Sequence, residues 1–290
     1  MSRVAYVNGA FTRHADAAVH IEDRGYQLAD GVYEVWAVFD GRLLDAEGHF
    51  TRLQRSLDEL RIAMPVCIPA LRILLAETLR RNRIKDGIVY LQITRGVARR
   101  DHPFPDPPVN PGIVITARRT DTAAAEAKAE HGVAVTTTPE NRWGRCDIKT
   151  VGLLPNVLAK QGARVAGAYE AWFVDEMGLV TEGASTNAWI VDADGVLRTR
   201  STQANILRGV TRGTLLEVIR TEELKVDEGG FSVEDAKQAR EAFITGAGTL
   251  VMPVVSIDGH SIGGGNPGPV AKRLRQLYIA EARRRSVGAT

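Results

Sequence analysis

The chain has 290 residues, 44% hydrophobic and 25% charged, the balance of a folded globular protein with apolar material for one large domain or two medium ones. A net charge of +2, from 37 basic against 35 acidic residues, argues against bulk nucleic-acid binding. The two cysteines, Cys67 and Cys146, are far apart and form no CxxC pair, so neither a disulfide scaffold nor a zinc site is expected, and a reducing cytoplasm is.

The first residues, Met1-Ser2-Arg3-Val4-Ala5-Tyr6, lack a basic start followed by an apolar run, so no signal peptide is expected. No apolar stretch approaches the ~20 residues needed to span a bilayer. Strands are predicted at 4–8 and 32–39, with Asp40-Gly41 as a hairpin turn. Over 47–62 the period becomes helical, with Phe50, Leu53, Leu57 and Leu60 on one face. A second helix is predicted over 70–82, with Leu71, Leu74, Leu75 and Leu79 inward, then strands at 88–95 and 112–117.

Residues 121–130 are rich in alanine and charge and read as a linker or a short helix. The expected domains are therefore 1–120 and 131–290, joined by 121–130. Beyond it, strands are predicted at 133–138 and 145–150. A helix follows Pro155, its segment 156–166 packing through Leu158, Ala159 and Val165. Strands at 170–174, 188–191 and 196–199 come next, with turns at Met177-Gly178 and Asp194-Gly195. Helices are predicted at 213–222, from Ser232, and at 268–285, with late strands at 242–245 and 254–257.

Only seven lysines stand against thirty arginines. Six of them lie in charged or loop-like settings. Lys149 ends the strand-like run Arg145-Cys146-Asp147-Ile148-Lys149-Thr150 and precedes Val151-Gly152-Leu153-Leu154. A lysine among apolar neighbours has its ammonium desolvated, which lowers its pKa and makes the amine nucleophilic. A snorkelling or salt-bridged lysine is the other reading. In Thr181-Glu182-Gly183-Ala184-Ser185-Thr186-Asn187, small residues after an acid let a flat ligand approach the backbone, or make an ordinary loop.

Leu207-Arg208-Gly209-Val210-Thr211-Arg212 enters a helix whose free N–H groups suit a phosphate. Thr245-Gly246-Ala247-Gly248-Thr249 follows a strand and is small enough for backbone contact with an anion. A capping threonine and a plain glycine turn explain both segments equally well. In the proline-bounded loop 94–105, Arg95, Arg99 and Arg100 gather around His102, a setting for a carboxylate or a solvated basic loop. The six histidines show no metal-ligand spacing, and no metal is expected.

In order, Arg24-Gly25-Tyr26-Gln27-Leu28-Ala29-Asp30-Gly31-Val32-Tyr33-Glu34-Val35, His49-Phe50-Thr51-Arg52-Leu53, the Lys149 run, Thr181-Glu182-Gly183 and Leu207 to Arg212 resemble the fold-type IV pyridoxal-phosphate enzymes over nearly the whole chain. The resemblance implies an α/β fold of two domains, a small N-terminal α/β domain and a larger C-terminal domain of mixed strands in a pseudo-barrel. It implies pyridoxal 5'-phosphate (PLP) as cofactor, with Lys149 as its Schiff-base lysine and proton carrier. Glu182 would keep the pyridine nitrogen protonated. Arg52, Thr211 and the amides of Val210 and Ala247 would hold the phosphate, with Gly246 beside them. Leu207 would pack on the ring face, and Ser185 would lie near the cofactor. The D-amino-acid branch often has hydroxyl residues where this chain has Gly246 and Ala247, which leaves only backbone contact there.

Arg100-Asp101-His102 is similar to the Arg-x-His carboxylate trap of D-amino-acid aminotransferases, with Tyr33 as its tyrosine and Tyr90 lining the site. The resemblance thus implies a cytoplasmic homodimeric transaminase. It would move the amino group of D-amino acids of the D-alanine or D-glutamate type to a 2-oxo acid such as 2-oxoglutarate. The alternatives are a branched-chain L-aminotransferase, an aminodeoxychorismate lyase or an (R)-amine transaminase. No membrane or nucleic-acid partner is expected.

Overall fold

The computed structural model describes residues 3–288, with the side chains of Val287 and Gly288 left aside. The chain divides into two compact units. One comprises Met1–Asp121, Ile148–Gly152 and Arg285–Thr290, and the other Thr122–Asp147 and Leu153–Arg284.

The first unit is built on a seven-stranded antiparallel sheet. Its order is Val287–Gly288, Arg42–Leu43, Gly31–Phe39, Gly87–Thr94, Gly112–Arg119, Val4–Val7, Ala10–Arg13. Asp40 and Gly41 both take positive φ, which closes the tight hairpin between Gly31–Phe39 and Arg42–Leu43. Side chains alternate across a strand, so Val32, Glu34, Trp36 and Val38 face one way and Tyr33 the other. The helices Ala46–Leu60 and Ile68–Asn82 bring Phe50, Leu53, Leu57, Leu71, Leu75 and Leu79 into one core with Val32 and Trp36.

The second unit holds a mixed nine-stranded sheet. Eight strands follow in the order Val226–Asp227, Leu197–Thr199, Asn187–Val191, Glu241–Gly246, Leu250–Ile257, Val133–Pro139, Glu170–Val174, Val180–Gly183, and His260–Ser261 pairs with Leu250–Ile257. Val133–Pro139 is parallel to both of its neighbours, and the connection to Glu170–Val174 runs through the helix Leu154–Val165. Asn187 reaches Glu182 across the short Ala184–Thr186 turn, so the two strands it joins lie side by side without sharing a ladder and the sheet curls. The helix Val233–Gln238 begins with a full capping box between Ser232 and Asp235.

Of the two readings of residues 121–130, the structure shows the helix, Thr122–His131, as its alanines favour. Three expectations need correction. Residues 145–150 form no strand. The Cys146 amide donates to Asn205 Oδ1 and the Lys149 amide to Ser56 Oγ, so only Thr150 is left to bridge to Val32. Ile148–Gly152 also belongs with the first unit, which moves Lys149 out of the expected C-terminal domain. Finally, the helix Leu154–Val165 buries Ala163 and leaves Leu158 and Val165 in solvent, at 62% and 79% exposure.

Candidate active site

In the first unit, Lys149 is set by its backbone. Its carbonyl accepts from the Tyr33 amide at 3.0 Å, and its amide donates to Ser56 at 3.3 Å. The ammonium lies 4.2 Å from the centre of the Tyr33 ring. Among the described residues it makes no ion pair or hydrogen bond, so Lys149 is not a salt-bridged lysine. Lys160 contrasts with it: that ammonium pairs with the fully buried Glu170 at 3.0 Å. Tyr33 stacks on Tyr90 with ring centres 5.7 Å apart. Burial and the neighbouring Tyr33 push the Tyr90 hydroxyl up to about 12, and it donates to Gln92.

Arg52 is buried beneath this sheet. Nε and Nη2 donate to the two oxygens of Glu34 at 2.7 and 2.8 Å, and His49 Nδ1 lies 2.7 Å from the same carboxylate. Burial alone would raise Glu34, but Arg52 and His49 hold it far below the usual carboxylate range. Burial outweighs Glu34 at His49 and keeps that imidazole below its ordinary value. The structure thus places Arg52 on Glu34. Sequence reading gave Glu34 and His49 no role, though a glutamate inside an apolar strand was the signal.

Arg100 and His102 sit on the exposed loop between Gly87–Thr94 and Gly112–Arg119. Among the described residues, neither side chain has a hydrogen bond or ion pair, and none joins them to Tyr33.

The second unit contributes a buried carboxylate cluster. Glu182 lies on the strand Val180–Gly183 and is 3% exposed. Oε1 accepts from Arg142 Nη1 at 2.5 Å and from the Leu207 amide at 3.1 Å, and Oε2 from Asn187 Nδ2 at 2.9 Å. Arg142 also donates to Glu140, which accepts the Thr181 hydroxyl. Burial pushes Glu182 up, and Arg142 opposes it. Two carboxylates thus share one guanidinium, so the cluster is one positive charge short. Oε2 keeps lone-pair capacity beyond its bond to Asn187. A cationic N–H donor fits such a site, which is what a protonated pyridine nitrogen presents. Sequence reading missed Arg142 and Glu140, because no spacing links them to Glu182, and gave Asn187 no role although it closes the same polar run.

Leu207 stands at this cluster through its amide and its carbonyl, which accepts from Asn187 at 3.1 Å. Three residues on, the helix Val210–Thr221 starts at Gly209 with no side-chain cap, leaving the first amides, Val210 and Thr211 among them, to an anion. Gly209 is required there: a Cβ would fall 1.9 Å from Asn187 Oδ1. Gly246 ends the strand Glu241–Gly246, and Ala247 follows in the turn. Ser185 is committed elsewhere, donating its hydroxyl to Glu170 at 2.7 Å beside Thr186 at 3.1 Å. Within the second unit, a carboxylate cluster short of a cation and an uncapped helix start fit a group that carries a cationic ring nitrogen and an anion, as PLP does. Within the first unit, Lys149 offers an amine with no counter-ion among the described residues.

The family described as amino-transferase class IV matches residues 31–257. A D-alanine aminotransferase from Staphylococcus epidermidis is 39% identical over 274 residues, 94% of this chain and 95% of its own. One from Bacillus licheniformis is 38% identical over 270 residues, 92% of this chain and 93% of its own. Among solved structures, the T.th. branched-chain amino acid aminotransferase with pyridoxamine 5'-phosphate superposes with TM-score 0.89 at 26% identity, covering 100% of this chain and 99% of that one.

Proposed function

This chain belongs to the class IV aminotransferases, and on that footing we propose that it is a PLP-dependent transaminase of D-amino acids of the D-alanine or D-glutamate type, with a 2-oxo acid such as 2-oxoglutarate as acceptor. The Glu182–Arg142–Glu140 cluster carries the reading, because the buried Glu182 shares its one counter-charge with the partly buried Glu140 and so calls for a cationic ligand atom. When bound, PLP supplies the electron sink for the pair left at the substrate α-carbon.

Lys149 Nζ binds the cofactor and carries the proton to and from the α-carbon. Glu182 holds the proton on the pyridine nitrogen. The amides of Val210 and Ala247, the Thr211 hydroxyl and Arg52 hold the phosphate, with Gly246 leaving room. Leu207 would lie against the ring, and Ser185, whose hydroxyl donates to Glu170, would lie near the cofactor. Arg100 grips the substrate carboxylate, while His102 and Tyr33 donate to it and Tyr90 walls the pocket. Fixing the carboxylate on one side decides which enantiomer turns its α-hydrogen toward Lys149.

The row Leu154, Val157, Leu158 and Val165, exposed on one helix, supports a homodimer. Two free cysteines, and no helix among the described residues long and apolar enough to cross a membrane, support a cytoplasmic enzyme. The likeness to branched-chain enzymes favours a second reading, an L-aminotransferase that shares the cofactor residues. The test is purified protein with PLP, 2-oxoglutarate and a panel of D- and L-amino acids. D-alanine is expected to outrun its enantiomer, and faster turnover of L-leucine or L-valine would decide for the second reading.

A further inference from the structure

The loop that carries Arg100 and His102 is tied down by charged groups that the reaction does not use. Arg24 and Arg95 are 3% and 7% exposed, and both converge on Asp30. Asp30 Oδ2 accepts from Arg24 Nε at 2.8 Å and Arg95 Nε at 2.7 Å, and Oδ1 from Arg95 Nη2 at 2.9 Å. With Nε spent on Asp30, Arg24 points its other two nitrogens at the loop. Nη1 donates to the Asp101 carbonyl at 2.6 Å and Nη2 to the His102 carbonyl at 3.2 Å. Arg95 covers the next stretch, its guanidinium 3.6 Å over the Phe104 ring, while it also donates to the carbonyls of Leu60 and Arg61.

The loop stem is fixed independently by backbone bonds. The Arg95 amide donates to Asp30, the Arg24 amide to Gly96 and the Ala98 amide to Glu22, and Asp23 bridges to Val97. Between stem and clamp, Arg99 and Arg100 are exposed and free of hydrogen bonds among the described residues. A guanidinium is a rigid planar fork, so one carboxylate fixing its Nε edge fixes the direction of both remaining donors. Two consecutive carbonyls on that fork set the path of the chain just after Arg100 and at His102.

We infer that Arg24, oriented by Asp30, is a positioning residue that sets the Arg100–His102 loop and thereby selects substrates bearing an α-carboxylate. The inference rests on the reading of Arg100 and His102 as the carboxylate contact. Arg95 and Phe104 act as its second point of attachment. Arg24 itself touches no substrate and acts only through the carbonyls of Asp101 and His102.

The test uses PLP-loaded wild type, Arg24→Met and Arg24→Lys. Arg24→Met keeps the stem and leaves Asp30 paired with Arg95. Trypsin cleavage after Arg99 and Arg100, read by mass spectrometry, should speed up about tenfold or more, since cleavage follows local opening. The kcat/KM for D-alanine should fall about ten- to a hundredfold, mostly through KM, and that for an amine lacking a carboxylate by less than about threefold. Arg24→Lys should fall between the two, keeping the charge and losing the fork.

Unchanged cleavage in a folded Arg24→Met overturns the inference, and so does an equal loss on both substrate classes. Should Arg24→Met fail to fold, Phe104→Ala, at a half-exposed ring, loosens the second attachment and must move the same measures the same way. Arg100→Ala in the otherwise unchanged protein judges the carboxylate reading separately: if it treats both substrate classes alike, that reading fails while the cleavage result still decides the anchoring.

Discussion

Arg142 donates to Glu182 across 2.5 Å, and the two side chains are only 7% and 4% exposed. Glu182 therefore has a counter-charge, shared with Glu140, which works against the burial that pushes its carboxyl up. Glu182→Gln keeps the shape and removes the charge. It should still bind PLP, while turnover of D-alanine falls about a hundredfold or more. Near-wild-type turnover would contradict the role. Arg142→Met should cost about 3–5 kcal/mol of stability, because it leaves the buried Glu182, and the partly buried Glu140 beside it, without their cation. Thermal unfolding measures it, and an unchanged melting temperature would show the pair to be dispensable.

Lys149 is held through its peptide group, by Tyr33 and Ser56, and its side chain has no polar partner among the described residues. Lys149→Ala should therefore fold with a stability change within about 1 kcal/mol. Borohydride reduction of the PLP-loaded wild type, followed by peptide mapping, should leave the pyridoxyl label on Lys149. The label on any of the other six lysines would end the assignment.

Arg100→Ala tests the enantiomer preference. Losing a charge-assisted contact to the carboxylate should lower kcat/KM for D-alanine about thirty- to a thousandfold. An amine without a carboxylate should change far less, because it never used the contact. Wild type and variant assayed on both classes decide it. Preference of the wild type for L-amino acids would remove the D-specific reading altogether.

His49 makes the stability of the first unit pH-dependent. Burial, outweighing the attraction of Glu34, holds its imidazole below the ordinary 6.5. Below that value the unfolded chain takes up a proton that the folded chain refuses, so stability should fall as pH drops from about 6.5 toward the depressed value and level off beneath it. Glu34, also depressed, adds its loss only in stronger acid, below the ordinary 4.5. Melting temperatures of wild type and His49→Gln between about pH 7.5 and 5 are the measurement, with a flatter profile expected for the variant. Parallel profiles would assign the slope to other groups.

Much of this protein is local in sequence. Period-2 runs give Gly31–Phe39 and Gly87–Thr94, a helical period gives Ala46–Leu60, and Asp40-Gly41 marks its hairpin, because backbone preference and side-chain period act over a few residues. Lys149 and Glu182 stand out for a related reason: one is a rare residue type among apolar neighbours, the other an acid set among small residues. Folding decided where the charges meet. Residues 145–150 look like a strand, yet their donors go to Ser56 and Asn205, partners 93 and 59 positions away. The stripe of Leu158 and Val165 has helical period and still faces solvent, since periodicity shows that a helix has an apolar face and not what covers it. Arg142 finds Glu182 40 residues on, and Arg24 finds Asp101 at a separation of 77. A buried charge needs a counter-charge in space rather than in sequence, so these pairings are written only in the tertiary structure.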